Sequence, residues 1–326
     1  MMAELQAASK RPAIPPIKPG RHIDGVSAVL LPFTSEDRPD WEGFRSLLER
    51  TWTAGLTPAV NMDTGYVNLL TVDERARVLA LASESAGGRR FVAGAFIDDL
   101  DGPPAALYRR SIERIRRAGG EPILFQSSAL AGCHESQVLE VLREVATVGA
   151  PILAFELGPM FAPFGRIYST DFFVRLLEIE AFVGLKHSSL DRELEWQRLS
   201  LRDQHRPGFR LYTGNDLAID MVFYGSDYLL GLSAFSVAAF AARDRLWRDS
   251  DTRAVTLNDV LQYLGQLAFR QPVPAYKHSA AQFLKLTGAI ACDHPHPRSL
   301  RRPDSDLPIL QSIAERLAEE LERVAQ

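Results

Sequence analysis

Cysteine is nearly absent. Cys133 and Cys292 are the only two in 326 residues, too few for a disulfide framework or a cysteine-built metal site. No run of about 18 apolar residues occurs, which excludes a transmembrane helix. The opening MMAELQAASKRPAIPPIKPGRH has no apolar core and does not read as a secretory signal; its prolines suggest an extended strap over residues 1–22. The cytoplasm is the default compartment. An excess of one charge is also missing: the formal net charge is −4 and the isoelectric point near 6.0, which gives no footprint for nucleic acid or an anionic membrane. No GxGxxG or GxxxxGK[ST] turn follows any strand candidate, so dinucleotide and nucleoside triphosphate sites are not expected. No cofactor is expected.

Lysine is scarce too. Lys10, Lys18, Lys186, Lys277 and Lys285 are the only five, against 32 arginines. Arginine supplies nearly every generic positive charge in this chain, but it forms no imine with a carbonyl at neutral pH. A lysine kept inside an apolar strand against that background calls for a chemical explanation.

What is present is ordinary for a folded globular protein, with 46% hydrophobic and 24% charged residues. Short apolar runs fall at residues 28–33, 58–62, 91–97, 123–126, 152–156, 182–186, 209–213 and 228–232. Each is bounded by Gly, Pro, Asp or Ser, as expected for parallel strands buried on both faces. Helical periodicity fills the gaps: Trp41, Phe44, Leu47, Leu48 and Thr51 share one face, as do Leu139, Leu142 and Val145, and Phe172, Phe173, Leu176 and Leu177. Thr71 and Glu74 have capping-box spacing. Eight strand–helix repeats predict an α/β fold, a (β/α)8 TIM barrel over residues 23–250. Beyond residue 250 the strands stop, and helices at 257–269, 279–286 and 308–324 predict a C-terminal helical subdomain over 251–326. The His294-Pro-His-Pro-Arg298 stretch between the last two helices reads as a loop; no metal site is expected there. Asp98, Asp99 and Asp101 read as helix-start electrostatics.

In barrel enzymes the active site lies at the C-terminal ends of the strands. The sixth candidate strand ends Phe-Val-Gly-Leu-Lys186-His-Ser-Ser. Burial there disfavours the ammonium form, and a neutral amine attacks a carbonyl to give an iminium electron sink. The bland alternative is a lysine that snorkels to solvent or pairs with Glu156. His187, next along the strand, faces the other way.

Several segments together resemble the dihydrodipicolinate synthase/N-acetylneuraminate lyase family of class I aldolases and lyases. AVLLPFTSEDRPDWEGF is similar to its opening A-x-x-T-P-F…D segment. Asp63-Thr64-Gly65-Tyr66 with LLTVDERARVL stands at its G-T-T-G-E…L-T-x-E-E-R, VGLKH at its G-I-K-E/D lysine strand, YTGND at its S-G-D-D, and GSDYLLGLSAF at its G-A-D-G-x-I-S-G. The likeness runs from about residue 23 to the C-terminus.

The resemblance implies a Schiff-base lysine at Lys186, a carboxylate-binding threonine at Thr64, a following Gly65, and the seventh-strand turn glycine at Gly214. It also implies a homo-oligomer, most simply a tetramer. The departures are as informative. Asp63 replaces the first threonine of the pair and Tyr66 the glutamate after the glycine. Phe155 stands about where the proton-shuttling tyrosine of the fifth strand belongs, with Ala154 in the adjacent register. Gln126-Ser-Ser replaces paired tyrosines after the fourth strand. The carboxylate-gripping arginine falls near Pro163, with Arg166 as a nearby substitute.

The expected function is therefore a lyase or aldolase that forms an imine between Lys186 and a keto acid or related carbonyl compound. Asp63 and Tyr66 are candidate acid–base groups, with Glu156 and Tyr212 as further candidates. Thr64, Gly65, Phe155, Glu156, Arg166 and Gly214 are expected to line the substrate site. Two other readings remain open: a barrel that has lost catalysis and binds a ligand, and dihydrodipicolinate synthase itself.

Overall fold

A computed structural model describes residues 12–162 and 164–325; Lys10 and Pro163 lie outside them. The alternating runs become β1 (Gly25–Ala28), α1 (Trp41–Ala54), β2 (Thr57–Val60), α2 (Val72–Ala86), β3 (Val92–Ala95), α3 (Pro104–Arg117), β4 (Glu121–Leu124), a short α4 (Ser128–Ala131), α5 (Glu135–Ala146), β5 (Ile152–Leu157), α6 (Thr170–Leu177), β6 (Phe182–Ser188), α7 (Arg192–His205), β7 (Arg210–Thr213), β8 (Asp227–Leu230) and α8 (Val237–Arg248). The eight strands pair in sequence order, all parallel, and β8 closes on β1. This is a (β/α)8 barrel.

Two local expectations need correction. The first strand ends at Ala28, where residues 28–33 were expected to pair; beyond it only the Val29 amide bonds across, to Ala59, and Pro32 has no amide to offer. The link from β7 to β8 is a 3-10 turn over Ile219–Tyr224 in place of an α-helix.

Helix ends follow local chemistry. Asp40 caps α1 through the Gly43 amide, and Thr71 with Glu74 forms the expected capping box on α2. Phe44, Leu47, Leu48 and Thr51 are buried on α1; Leu139, Leu142 and Val145 on α5. The barrel interior is filled by Val26, Ala59, Val92, Ile123, Leu153 and Leu229, a packed core with no pore.

The C-terminal helices are α9 (Arg253–Ala268), α10 (Tyr276–Leu286) and α11 (Leu307–Ala325). α9 packs on α8 and α11 on α9, within the same hydrophobic cluster as the outer face of the barrel. α11 buries Leu310, Ile313 and Leu317 from its predicted stripe. The first turn of α10 brings Tyr276 and Lys277 to the C-terminal ends of the strands. Among the described residues no helix is long and apolar enough to cross a membrane.

Candidate active site

Strand alternation fixes the site. On β6, Lys186 and Ser188 face inward, while His187 faces the helical shell, where it meets Glu156. Lys186 is 8% exposed, and its Nζ lies 4.3 Å from the ring centroid of Phe155, its neighbour across the β5–β6 pair. Burial pulls the amine down, the Asp216 and Asp63 carboxylates hold it up in part, and the net value is about 8. A useful fraction is therefore neutral near physiological pH, as imine formation requires.

Gly214 is needed beside it. A Cβ there would lie 2.7 Å from Lys186 Cε and 2.0 Å from Ser188 Oγ. The Ser188 hydroxyl, 3% exposed, has no hydrogen-bond partner among the described residues.

The mouth has two chemically different sides. Toward β3, β4 and β5 it is aromatic: Phe125 meets Phe155 edge-on at 5.0 Å and Phe96 at 6.1 Å. Toward β2, β7, β8 and α10 it is polar. There Asp63 Oδ1 accepts from Lys277 Nζ and Asp63 Oδ2 from Tyr276 Oη, both at 2.9 Å, and Thr64 Oγ1 lies 2.9 Å from the same phenol oxygen. Asp216 accepts from the Leu232 amide at 2.7 Å. Burial drives its carboxyl up, more than the Leu232 and Gly231 amides and Lys186 pull it down, to about 7. The turn carrying Asp63 and Thr64 is bracketed by Asn61 (φ 51) and Tyr66 (φ 60), both left-handed. Such backbone in non-glycine residues costs energy and clusters at functional sites.

Asp216→Asn removes a charge that favours the Lys186 ammonium. The acid limb of a pH profile for carbonyl trapping is expected to move to lower pH, by about one unit. A limb that stays put or moves up contradicts the coupling.

The structure brings together Lys186, Asp63, Thr64, Phe155 and Gly214, and it redirects the other candidates. Gly65 sits in the 3-10 turn behind Thr64. Tyr66 is fully buried against Phe33 and His296, and burial pushes its phenol far up; no interaction joins it to Lys186. His296, from the proline-flanked loop, thus serves packing.

Glu156 leaves the site. It faces outward and is held by His187 Nδ1 at 2.6 Å and Arg198 Nε at 2.7 Å. Tyr212 points to the opposite end of the barrel, donating to Asp24 Oδ2 at 2.8 Å beside Arg90 and Arg210. Arg166 braces a loop: its Nη1 donates to the Cys133 carbonyl at 2.8 Å, and its backbone clamps both ends of the Gln126 amide.

Sequence reasoning missed Tyr276, Lys277, Asp216 and Ser188. One signal was at hand. Of the four lysines within the described residues, Lys18 and Lys285 form exposed pairs, whereas Lys277 is as buried as Lys186.

An eight-stranded parallel barrel with a buried lysine at the C-terminal end of β6 defines the class: a TIM barrel of dihydrodipicolinate synthase-like fold. The family model described as "Protein of unknown function (DUF993)" matches residues 26–291, and the chain belongs to that family. No curated protein matches the sequence. Among solved structures, the chain is similar to YagE, a prophage protein of the dihydrodipicolinic acid synthase family from E. coli K12 in complex with pyruvate. The TM-score is 0.77 at 17% identity over 90% of this chain and 98% of that one. It is also similar to the dihydrodipicolinate synthase of Thermotoga maritima, with a TM-score of 0.76 at 15% identity over 91% and 99% of the two chains. A catalytic-lysine mutant of Ruminococcus gnavus sialic acid aldolase gives 0.76 at 13% over 93% and 98%. At these identities the likeness is one of fold.

Proposed function

We propose that the chain is a lyase or aldolase in which Lys186 condenses with a small carbonyl substrate, and that the resulting iminium drives carbon–carbon bond cleavage or formation. The observation that carries this reading is the Lys186 amine, buried at the barrel mouth with a value of about 8. Phe96, Phe125 and Phe155 offer an apolar flank, while Thr64 and Asp63 face the other side, so the substrate is a keto acid or related carbonyl compound with one apolar side. Dihydrodipicolinate synthase itself fits poorly, because Phe155 cannot shuttle protons and Asp63 sets a carboxylate where that reaction binds one. A catalytically silent, ligand-binding barrel is the second reading, favoured by the same phenylalanine. The protein is proposed to act in the cytoplasm as a homo-oligomer, which light scattering would check.

Borohydride reduction with a panel of keto acids and simple ketones, followed by intact mass and peptide mapping, tests the reading. A mass gain on Lys186 supports it. No gain with any carbonyl favours the silent barrel.

A further inference from the structure

Tyr276 lies outside the eight strands, yet its hydroxyl is the hub of the polar side of the mouth. A phenol has a single proton. Tyr276 gives that proton to Asp63 Oδ2 at 2.9 Å, so in the bond to Thr64 Oγ1, also 2.9 Å, the threonine must be the donor. Thr64 then presents only lone pairs to the mouth. Both bonds point the same way, from the substrate side toward Asp63, whose other oxygen accepts from Lys277 Nζ at 2.9 Å.

The chain reaches the lysine's surroundings. A Cβ on Gly231 would lie 3.0 Å from both Thr64 Oγ1 and Tyr276 Cε2, and the Gly231 backbone also bonds to Asp216, the carboxylate that acts most strongly on Lys186. The β5 position where the resemblance expects a tyrosine is Phe155, so the phenol here comes from α10.

We propose that Thr64, Tyr276 and Asp63 form a proton relay that takes the hydroxyl proton of a β-hydroxy carbonyl compound held as an imine on Lys186, so that the substrate class is an aldol. The inference rests on the imine reading above. As the bond between the α and β carbons breaks, its electron pair enters the iminium and leaves an enamine on Lys186. The O–H pair of the β-hydroxyl becomes the second bond of the departing carbonyl. Its proton passes to Thr64 Oγ, the Thr64 proton to Tyr276 Oη, and the Tyr276 proton to Asp63 Oδ2. Asp63 ends as a carboxylic acid beside the Lys277 ammonium. The proton, returned along the chain, protonates the enamine carbon before water releases the ketone. No external oxidant or reductant is consumed. Thr64 touches the substrate; Tyr276 acts through it.

The test uses full-length protein with 4-hydroxy-2-butanone, 4-hydroxy-2-oxobutyrate and 4-hydroxy-4-phenyl-2-butanone as probes. Borohydride trapping on Lys186 and release of the aldehyde are measured separately. The wild type is expected to cleave at least one probe with a solvent deuterium isotope effect. Tyr276→Phe and Thr64→Val are expected still to form the trapped imine, while aldehyde release per trapped enzyme falls about 100-fold or more, the usual cost of losing a positioned proton-transfer group. If Tyr276→Phe does not fold, the near-isosteric Thr64→Val decides alone. Three results overturn the relay: a folded variant that cleaves within twofold of wild type, variants that lose trapping and cleavage in equal proportion, or a wild type that forms the imine and cleaves no probe. A wild type that traps no carbonyl at all defeats the imine reading, and the relay with it.

Discussion

Lys186→Arg is expected to abolish covalent trapping and turnover while leaving the fold in place. Arginine keeps the positive charge facing Asp216 and Asp63 and keeps a cation over the Phe155 ring. What it lacks is a free electron pair, since the guanidinium stays protonated throughout the usable pH range. A lysine retained only for charge predicts the opposite outcome. Space is the complication, because Lys186 Cε already packs where a Gly214 Cβ would sit. Lys186→Met, which matches the lysine stem without a charge, serves as the control for crowding. Both variants should give no mass gain after borohydride reduction with any carbonyl that labels the wild type. Peptide mapping matters because Lys277 is also buried at the mouth. Its ammonium is paired with Asp63 and therefore less available as a nucleophile. A label that persists in Lys186→Arg, or maps to Lys277, would move the nucleophile and sink the central assignment.

The barrel was legible because its signals are local. Each strand is a short apolar run with polar punctuation, and period-2 alternation alone was enough to aim Lys186 inward and His187 outward. The site was legible only where it sits on strand ends. Lys186 could be proposed that way, since its surroundings are set by neighbouring strands, whereas Thr64 and Gly214 came from the family resemblance alone. Tyr276 and Lys277 were not, because more than 210 residues separate them from the Asp63 they bind. Nothing in the local pattern of α10 says that its first turn reaches the mouth. Lysine scarcity was the one sequence signal for Lys277, and it was applied only to the lysine in a strand. The misplaced candidates failed for a second reason. Glu156 and Tyr212 are next to inward-facing or mouth-facing positions in sequence, but one residue of register turns Glu156 outward. The length of the Tyr212 ring carries its hydroxyl to the wrong end of the barrel.

Asp63 acquires a different meaning once Lys277 is beside it. Alone, a carboxylate at that position would repel an anionic substrate. Paired, it is a neutral unit that accepts a hydrogen bond from Tyr276 on one oxygen while the ammonium holds the other. Where the resembling family has a carboxylate-binding threonine pair, this chain has Asp63 and Thr64 joined through the Tyr276 hydroxyl.

Glu156→Gln is expected to destabilise the protein strongly while sparing trapping at Lys186. The carboxylate, His187 and Arg198 are all fully buried. Glu156 Oε1 binds His187 Nδ1 at 2.6 Å and Arg198 Nε at 2.7 Å, and Oε2 accepts from the Tyr168 amide at 2.9 Å. Glutamine matches the size but removes the charge, leaving the Arg198 guanidinium without its counter-ion; breaking a buried pair in this way costs about 3–5 kcal/mol. The pH dependence follows from the sign of the shift. Burial acts to raise the Glu156 carboxyl, but Arg198 and His187 outweigh it and hold it below the ordinary value of 4.5. A depressed carboxylate contributes stability that is fully present above its unfolded value and is lost as pH falls through the folded one. The gap between wild type and variant, measured by urea denaturation, should therefore be widest above about pH 5 and narrow in acid. Trapping by borohydride, assayed where the variant remains folded, should be unchanged, because the side chain faces away from Lys186. A variant that is as stable as wild type but loses trapping would return Glu156 to the active site.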